Sequence, residues 1–203
     1  MINVLLTGVG GQGTVLAAKV LAQAAQARGW QVRTAETIGM AQRGGSVISH
    51  VRMGNLGEEV YAPLLTQATA DLAIAFEPGE AARVLPYLAQ DGVLVTATTA
   101  VQPVTAALSR EPYRAADVLA SIERALGAEQ TLVAIDDASI TEQVGSRKAL
   151  NTVLLASAIA QNRIPISIDE LKEAIAACVK PRFVDMNVRA VDTALAILTK
   201  TTG

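Results

Sequence analysis

A strand, a glycine-rich turn and a helix follow one another directly near the start of the sequence. Residues 2–7 are an apolar run of strand type, and residues 14–28 carry Ala, Val, Leu and Lys at helical spacing. The turn between them contains Gly8, Gly10 and Gly13 in a GxGxxG pattern. The first Gly of such a turn permits a sharp bend, the second admits a ligand to the backbone, and the third allows close helix–strand packing. The free N–H groups at the helix start favour an anion, so this segment predicts an α/β sheet with a ligand site.

The rest of the sequence alternates predicted strands and helices. Further strands are predicted at residues 31–35, 47–53, 71–76, 92–97 and 131–135. Further helices are predicted at residues 79–88, 117–126, 138–144, 150–161, 168–179 and 183–198, with the least regular stretch at 98–114. This alternation is typical of a three-layer, Rossmann-like, doubly wound α/β fold with a mostly parallel sheet. Because no linker, repeat or composition shift interrupts it, we expect residues 1–203 to form one domain.

The glycine loop, residues 8–13, admits three interpretations when it is taken alone. Its candidate cofactor-binding residues are Gly8, Gly10, Gly11, Gln12 and Gly13, with Thr14 as a further side-chain donor. Glu36 follows the second strand, near the position from which an NAD-binding domain holds a ribose hydroxyl, or it caps the polar loop after it. The glycines are equally compatible with simple tight packing of strand and helix. The third interpretation is a phosphate or diphosphate ligand shared with another subunit.

A second polar, glycine-marked loop follows the second predicted strand. Its candidate ligand-binding residues are Met40, Gln42 and Arg43. The arginine offers a fixed fork of donors suited to phosphate or carboxylate, and Gly44 and Gly45 remove side-chain bulk. Composition alone also allows a solvated turn. Both loops follow strands of the predicted sheet, which is where open α/β sheets place their ligand crevice.

Composition and residue counts exclude several classes of function. The net charge is −2 and only 3% of the residues are aromatic, so the sequence lacks the basic and aromatic residues that bind nucleic acid. The apolar runs are too short to cross a membrane. Cys178 is the only cysteine and His50 the only histidine, so the chain cannot hold an iron–sulfur cluster alone and offers no zinc site. No nucleophile, acid and base set stands out, and no catalytic residue is predicted. One free thiol and the absence of a recognisable signal segment lead us to expect a cytoplasmic protein.

His50 and Cys178 are given structural roles. The alternation of side chains along a strand places His50 on one face with Ser46, Ile48 and Arg52, and a half-buried, hydrogen-bonded histidine is expected there. Cys178 lies in an apolar helical pattern and is expected to be a small core residue.

The two loops together resemble a known family. GVGGQGTVLAAKVLA followed by AETIGMAQRGGSVISHVRMG is similar to the gamma-type subunits or domains of 2-oxoacid:ferredoxin oxidoreductases, and above all to the indolepyruvate branch. The resemblance continues through Phe76, Glu77, Pro78, Glu80 and Ala81, which match an FEP-x-EA stretch. It extends to the late helix around Asn151, Leu154 and Leu155, and so covers most of the chain.

The resemblance implies a subunit of a complex that oxidatively decarboxylates a 2-oxoacid, with indolepyruvate or another aryl pyruvate preferred, to an acyl-CoA. In this family a larger partner subunit carries thiamine diphosphate and the iron–sulfur clusters, CoA is a co-substrate, and electrons pass to ferredoxin. No cofactor is assigned to this chain with certainty. The second loop would lie on the face that meets the catalytic partner, so residues 8–13 and 40–43 would line a composite site.

Further expectations follow for the isolated chain. We expect it to be inactive, to contact neither nucleic acid nor membrane, and to be capable of forming a homodimer through the face meant for its partner. Two other functions remain open at this point. One is an autonomous Rossmann-type NAD(P)-binding dehydrogenase domain, and the other is a purely structural assembly subunit with an empty glycine loop.

Overall fold

The structure is a computed structural model that describes residues 1–39, 44–101 and 113–201. The strands are β1 (Ile2–Val9), β2 (Gln31–Ile38), β3 (Ser46–Gly54), β4 (Ala70–Ala75), β5 (Leu88–Ala97) and β6 (Thr131–Ile135). The α-helices are α1 (Thr14–Ala27), α2 (Pro78–Val84), α3 (Ala115–Ala125), α4 (Asp137–Val144), α5 (Leu150–Ile159), α6 (Ile168–Cys178) and α7 (Val184–Thr201). Among these helices, none is both long and apolar enough to cross a membrane.

The six strands form one sheet in the order β2-β3-β1-β4-β5-β6. Strands β1, β4, β5 and β6 are parallel, whereas β3 runs antiparallel to both of its neighbours, β1 and β2. The connection between β2 and β3, residues 39–45, is too short for a parallel crossover and therefore closes an antiparallel hairpin. This hairpin moves β2 to the edge of the sheet. The result is the mostly parallel α/β sheet that the sequence predicts.

Helices cover both faces of the sheet and enclose two apolar cores. Along β1, Val4 and Leu6 face the larger core, to which α1, α4, α5, α6 and α7 contribute, and Leu5 faces the smaller core with α2 and α3. All residues of α5 are buried, including the polar Asn151, Thr152 and Ser157. Helix α5 therefore lies inside the larger helical layer, and its first turn reaches the glycine loop.

Most predicted elements agree with the structure to within a few residues, and the exceptions have local causes. The helix predicted at 79–88 ends at Val84 and continues as a 3-10 turn, Leu85–Tyr87, because Pro86 lacks the N–H that another α-helical turn needs. Strand β5 consequently begins at Leu88 rather than at residue 92. Helix α6 begins directly after Ser167, whose side chain forms a capping box with Glu170 in the first turn. Of the irregular stretch predicted at 98–114, residues 102–112 lie outside the described residues.

Candidate functional site

Three short segments meet at one end of the sheet. They are the glycine loop (residues 8–13) after β1, the hairpin loop (residues 39–45) between β2 and β3, and the acidic turn (residues 76–80) after β4. Strands β1, β2 and β4 point the same way, so their carboxyl ends share this edge with the start of β3. The predicted residues Met40, Gln42 and Arg43 lie outside the described residues. The site can thus be built from the glycine loop, the base of the hairpin loop and the acidic turn.

Two positions of the glycine loop require glycine for different physical reasons. A Cβ on Gly8 would lie 2.9 Å from both Gln12 Oε1 and Thr14 Oγ1 and 3.0 Å from Phe76 Cβ, so this turn has no room for a side chain. Gly11 has space around it but adopts a φ of +101°, which L-residues with a side chain rarely adopt. The predicted sharp turn is therefore present, and its tip is exposed.

Gln12 fixes the shape of the glycine loop. Its amide oxygen accepts a hydrogen bond from the Val9 N–H at 2.7 Å, and its amide nitrogen donates to the Phe76 carbonyl at 2.8 Å. The amide is thus already bonded within the site and ties the glycine loop to the acidic turn. The neighbouring Thr14 hydroxyl is enclosed, and none of the described residues bonds to it. Whether either side chain also contacts a ligand stays a prediction.

A backbone hydrogen bond joins the glycine loop to the hairpin loop. The Gly10 N–H donates to the Gly45 carbonyl at 2.8 Å, and the Gly39 N–H closes the hairpin by donating to the Ser46 carbonyl at 2.8 Å. The two loops that the sequence singles out are therefore in direct contact, although β3 separates β1 from β2. Any ligand or partner that covers one loop also lies beside the other.

The start of α1 is chemically suited to an anion. The helix begins after Gly13, which adopts a left-handed conformation and has no side chain to act as a cap. No acidic residue lies in the first turn. The first N–H groups of an α-helix have no partner within the helix, and the helix dipole adds a partial positive charge there. Phosphate groups bind at such positions in other proteins. The glycine loop can thus accept a phosphate or diphosphate through backbone groups.

The acidic turn contributes two buried carboxylates that the sequence analysis used only for the family resemblance. Glu77 is 3% exposed and accepts hydrogen bonds from the Glu80 N–H at 3.0 Å and from the Tyr113 hydroxyl at 2.5 Å. Glu80 is 7% exposed, accepts from the Ser46 hydroxyl at 2.5 Å and lies 3.6 Å from Arg83 Nε. Two glutamates immediately after a buried strand are a signal that sequence reasoning could have used, since the carboxyl ends of strands form the crevice.

Each acidic side chain has a defined structural consequence. Burial, and then the hydrogen bond to Glu77, raise the pKa of Tyr113, so its phenol stays protonated and acts as the donor of that bond. A Cβ on Gly79 would lie 2.9 Å from both Glu77 Oε2 and the Tyr113 hydroxyl, so a side chain there would displace this hydrogen-bonded pair. Glu80, through Ser46, fixes the first residue of β3 and with it the base of the hairpin loop.

Glu36 does not lie beside the glycine loop. It is exposed on the edge strand β2, in register with Ser49, and β3 lies between it and β1. Two strand spacings amount to about 10 Å, whereas a dinucleotide-binding domain relies on a second strand adjacent to the first. Glu36 instead lines a shallow groove with Val15 and Lys19 of α1. Its contact with a cofactor stays a prediction.

His50 and Cys178 have the environments of structural residues. His50 is buried on β3, its Nδ1 accepts the Leu65 N–H at 3.2 Å, and its ring meets Tyr87 edge-on at 6.1 Å. Burial lowers the pKa of His50, which is therefore neutral near pH 7. Burial raises the pKa of the Cys178 thiol. Within the ranges that the structure describes, no group of His, Cys, Asp or Glu side chains has the arrangement of a metal site.

Fold and site together define an α/β protein whose glycine loop is fixed against a hairpin loop and an acidic turn. Comparison with known proteins identifies its family. The model of the pyruvate ferredoxin/flavodoxin oxidoreductase family matches residues 3–197, and the chain belongs to this family. The resemblance stated for the sequence is thereby confirmed.

One similar protein of known name is the indolepyruvate oxidoreductase subunit IorB of Thermococcus kodakarensis. It is 35% identical over 189 residues, which are 93% of this chain and 91% of that protein. The chain is accordingly of the subunit type found in 2-oxoacid:ferredoxin oxidoreductases, enzymes of class EC 1.2.7.

Solved structures confirm the fold class. The gamma subunit of a keto/oxoacid ferredoxin oxidoreductase from Geobacter sulfurreducens superimposes with a TM-score of 0.68 at 21% identity, covering 97% of this chain and 99% of that one. A 2-oxoglutarate:ferredoxin oxidoreductase from Magnetococcus marinus, with 2-oxoglutarate, coenzyme A and succinyl-CoA bound, gives 0.71 at 19% identity. That match covers 98% of this chain and 31% of the longer Magnetococcus chain.

Proposed function

We propose that this chain is the non-redox subunit of a thiamine-diphosphate-dependent 2-oxoacid:ferredoxin oxidoreductase. The complex would oxidise indolepyruvate or another aryl pyruvate to an acyl-CoA and pass the electrons to ferredoxin. The preference for an aryl 2-oxoacid is supported by the 35% identity to an indolepyruvate oxidoreductase subunit. A reducing cytoplasm suits the free Cys178 thiol.

The division of cofactors in this proposal follows from donor chemistry. Iron–sulfur clusters are held by several cysteine ligands, and this sequence contains one cysteine. The clusters are therefore assigned to a larger partner subunit. The family resemblance assigns thiamine diphosphate to the same partner, where it would supply the carbanion stabilisation that decarboxylation requires. A phosphate-bearing group, by contrast, fits the uncapped start of α1. The function proposed for this chain is to complete the partner's site with backbone donors and with Arg43.

The observation that carries the proposal is the hydrogen bond between Gly10 and Gly45. Because the two loops are in contact, one partner surface can cover the glycine loop and the hairpin loop together. The proposed site residues of the two loops are Gly8, Gly10, Gly11, Gln12, Gly13, Met40, Gln42 and Arg43. Glu36 is also proposed, from the edge strand β2. A structure that shares this fold at 19% identity was solved with coenzyme A bound, and we take CoA as the phosphate-bearing molecule in the proposal.

Arginine replacement in the whole complex tests the composite site. We would co-express the chain with its partner and measure 2-oxoacid- and CoA-dependent reduction of methyl viologen without oxygen. Arg43→Ala should leave assembly intact and lower kcat/KM for CoA by about tenfold or more, as expected for a lost charge-assisted contact to phosphate. Arg189→Ala, which removes an exposed arginine of α7, is the matched control and should change neither value. Unchanged assembly, CoA saturation and turnover in Arg43→Ala would reject the composite site.

A further inference from the structure

A pocket of about 360 Å³ lies next to the glycine loop on the side of the larger core. It is formed where the first turn of α1 meets the start of α5 and the connection from α6 to α7. Its apolar lining consists of Leu16, Val179, Phe183 and Met186. This volume is in the range of sites for small organic molecules, which combine apolar walls with a few polar groups.

Asn151 is the buried polar group of this pocket. The residue is 6% exposed and lines the cavity, and its side chain has no hydrogen bond to any other described residue. Asn187 of the same pocket is different, because its amide accepts from the Thr152 hydroxyl at 2.5 Å and donates to the Phe183 carbonyl at 2.8 Å. Among the described residues, the Asn151 amide does not belong to the fully enclosed polar groups that lack a partner, as the Thr14 hydroxyl does, so its polar atoms are open to the pocket. Asn151 therefore offers a donor and an acceptor to an occupant of the pocket.

The position of Asn151 connects the pocket to the glycine loop. A Cβ on Gly13 would lie 3.1 Å from Asn151 Nδ2 and 3.2 Å from its Cγ, so a side chain at Gly13 would press on the amide. The absence of a side chain at Gly13 thus leaves Asn151 in place at the base of α1. Asn151 belongs to the stretch that carries the family resemblance, and its position against Gly13 gives this residue a structural role that the proposed function does not use.

Two lysines add positive charge to the rim of the pocket. Lys148 and Lys180 both line it and are exposed. Neither forms an ion pair with an acidic side chain among the described residues, whereas Lys172 on α6 is paired with Asp192 at 2.6 Å. An apolar cavity with unpaired cations at its mouth is complementary to a molecule that has an apolar body and an anionic head.

We propose that the pocket between α1, α5 and α7 binds an organic anion. The apolar body packs against Phe183 and Met186, its carboxylate or phosphate head contacts Lys148 and Lys180, and Asn151 hydrogen-bonds a polar atom of the ligand. This site lies beside the composite site of the proposed function but shares none of its named residues. It is complete within one chain, so it can be tested without the partner subunit.

Calorimetric titration of the purified full-length chain tests the site with defined probes. The probes are 1-naphthyl phosphate and 1-naphthoate, compared with the neutral 1-naphthalenemethanol and with inorganic phosphate and acetate. At least one naphthyl anion should bind tenfold or more tightly than both its neutral analogue and its isolated head group. The tighter of the two anions identifies the head group.

Charge and amide variants assign the binding to this pocket. Lys148→Gln/Lys180→Gln should weaken binding of the naphthyl anion at least tenfold, and Asn151→Leu should weaken it at least threefold with an unchanged circular dichroism spectrum. The matched control is Lys172→Gln/Arg124→Gln, which removes the same charge elsewhere and should change affinity less than twofold. Equal weakening by the control, or a naphthyl anion that binds no better than phosphate or naphthalenemethanol, would overturn the proposal.

Discussion

Gly8→Ala is the substitution whose cost the structure defines best. The added methyl would lie 2.9 Å from two oxygens, Gln12 Oε1 and Thr14 Oγ1, and 3.0 Å from Phe76 Cβ. Gln12 cannot swing away without losing its bonds to the Val9 N–H and the Phe76 carbonyl. Phe76 is fully buried and cannot yield either. Relief of the clash therefore requires backbone movement or the loss of two hydrogen bonds.

The expected loss of stability follows from the cheaper of these two effects. Overpacking costs about 1–3 kcal/mol, and each lost hydrogen bond contributes about 0.5–1.5 kcal/mol. Two lost hydrogen bonds together cost about as much as overpacking, and the chain will adopt the cheaper response, so Gly8→Ala should lower the free energy of unfolding by about 1–3 kcal/mol, with little change in the denaturant slope. Urea unfolding followed by circular dichroism measures both quantities.

Gly127→Ala is the control for this prediction. A Cβ on Gly127 would lie 3.6 Å from Gln130 Oε1, an ordinary contact, and its φ is not in the left-handed region. Its free energy of unfolding should stay within about 0.5 kcal/mol of the parent, as is usual for surface changes. If Gly8→Ala were as stable as Gly127→Ala, the close approach of Gln12, Thr14 and Phe76 to Gly8 would be refuted.

Three further predictions concern the loops and His50. Gly11→Ala and Gly57→Ala both place alanine at positive φ in open space and should each cost about 1–2 kcal/mol in urea unfolding, but only Gly11→Ala should reduce turnover of the complex. Ser46→Ala should cost about 1.5–3 kcal/mol, as for a hydrogen bond to a charged group, and clearly less in a Glu80→Gln background, which a four-protein unfolding cycle measures. Burial lowers the pKa of His50 below 6.5, so the unfolded chain binds this proton more tightly. The free energy of unfolding should therefore fall as the pH decreases below 6.5, and this fall should be smaller in His50→Gln.

Local patterns in the sequence were sufficient for most of the fold. The apolar run before Gly8 and the helical spacing after Gly13 predict β1 and α1, and the strand at Thr131–Ile135 agrees with the structure residue for residue. Helix ends were predictable where a side chain marks them, as Ser167 does. These features depend on neighbours in the chain, whose identities a sequence displays directly.

Strand order was not predictable from the same patterns. Strand patterns alone do not show whether β2 pairs with β1 or with β3, although the short connection at residues 39–45 favours the hairpin with β3. The prediction that Glu36 lies near the glycine loop assumed the first arrangement, whereas the structure has the second.

The candidate site was predictable in part. The glycine loop was found because its backbone demands glycine at Gly8 and Gly11. The roles of Glu77 and Glu80 were missed, because their partners Tyr113 and Ser46 are more than thirty residues away in the sequence. Hydrogen bonds between residues so far apart in the chain produce no periodic pattern in the sequence.

The proposed function requires this chain to work as part of a larger oxidoreductase complex. The most direct measurement is to tag the chain in its native cell, purify it gently without oxygen, identify what accompanies it, and assay 2-oxoacid- and CoA-dependent reduction of a ferredoxin substitute. We expect co-purification with a large subunit that contains thiamine diphosphate and iron–sulfur clusters, with the highest activity on an aryl 2-oxoacid. A chain that is recovered alone and binds NAD(P) tightly would contradict it and favour the dehydrogenase alternative.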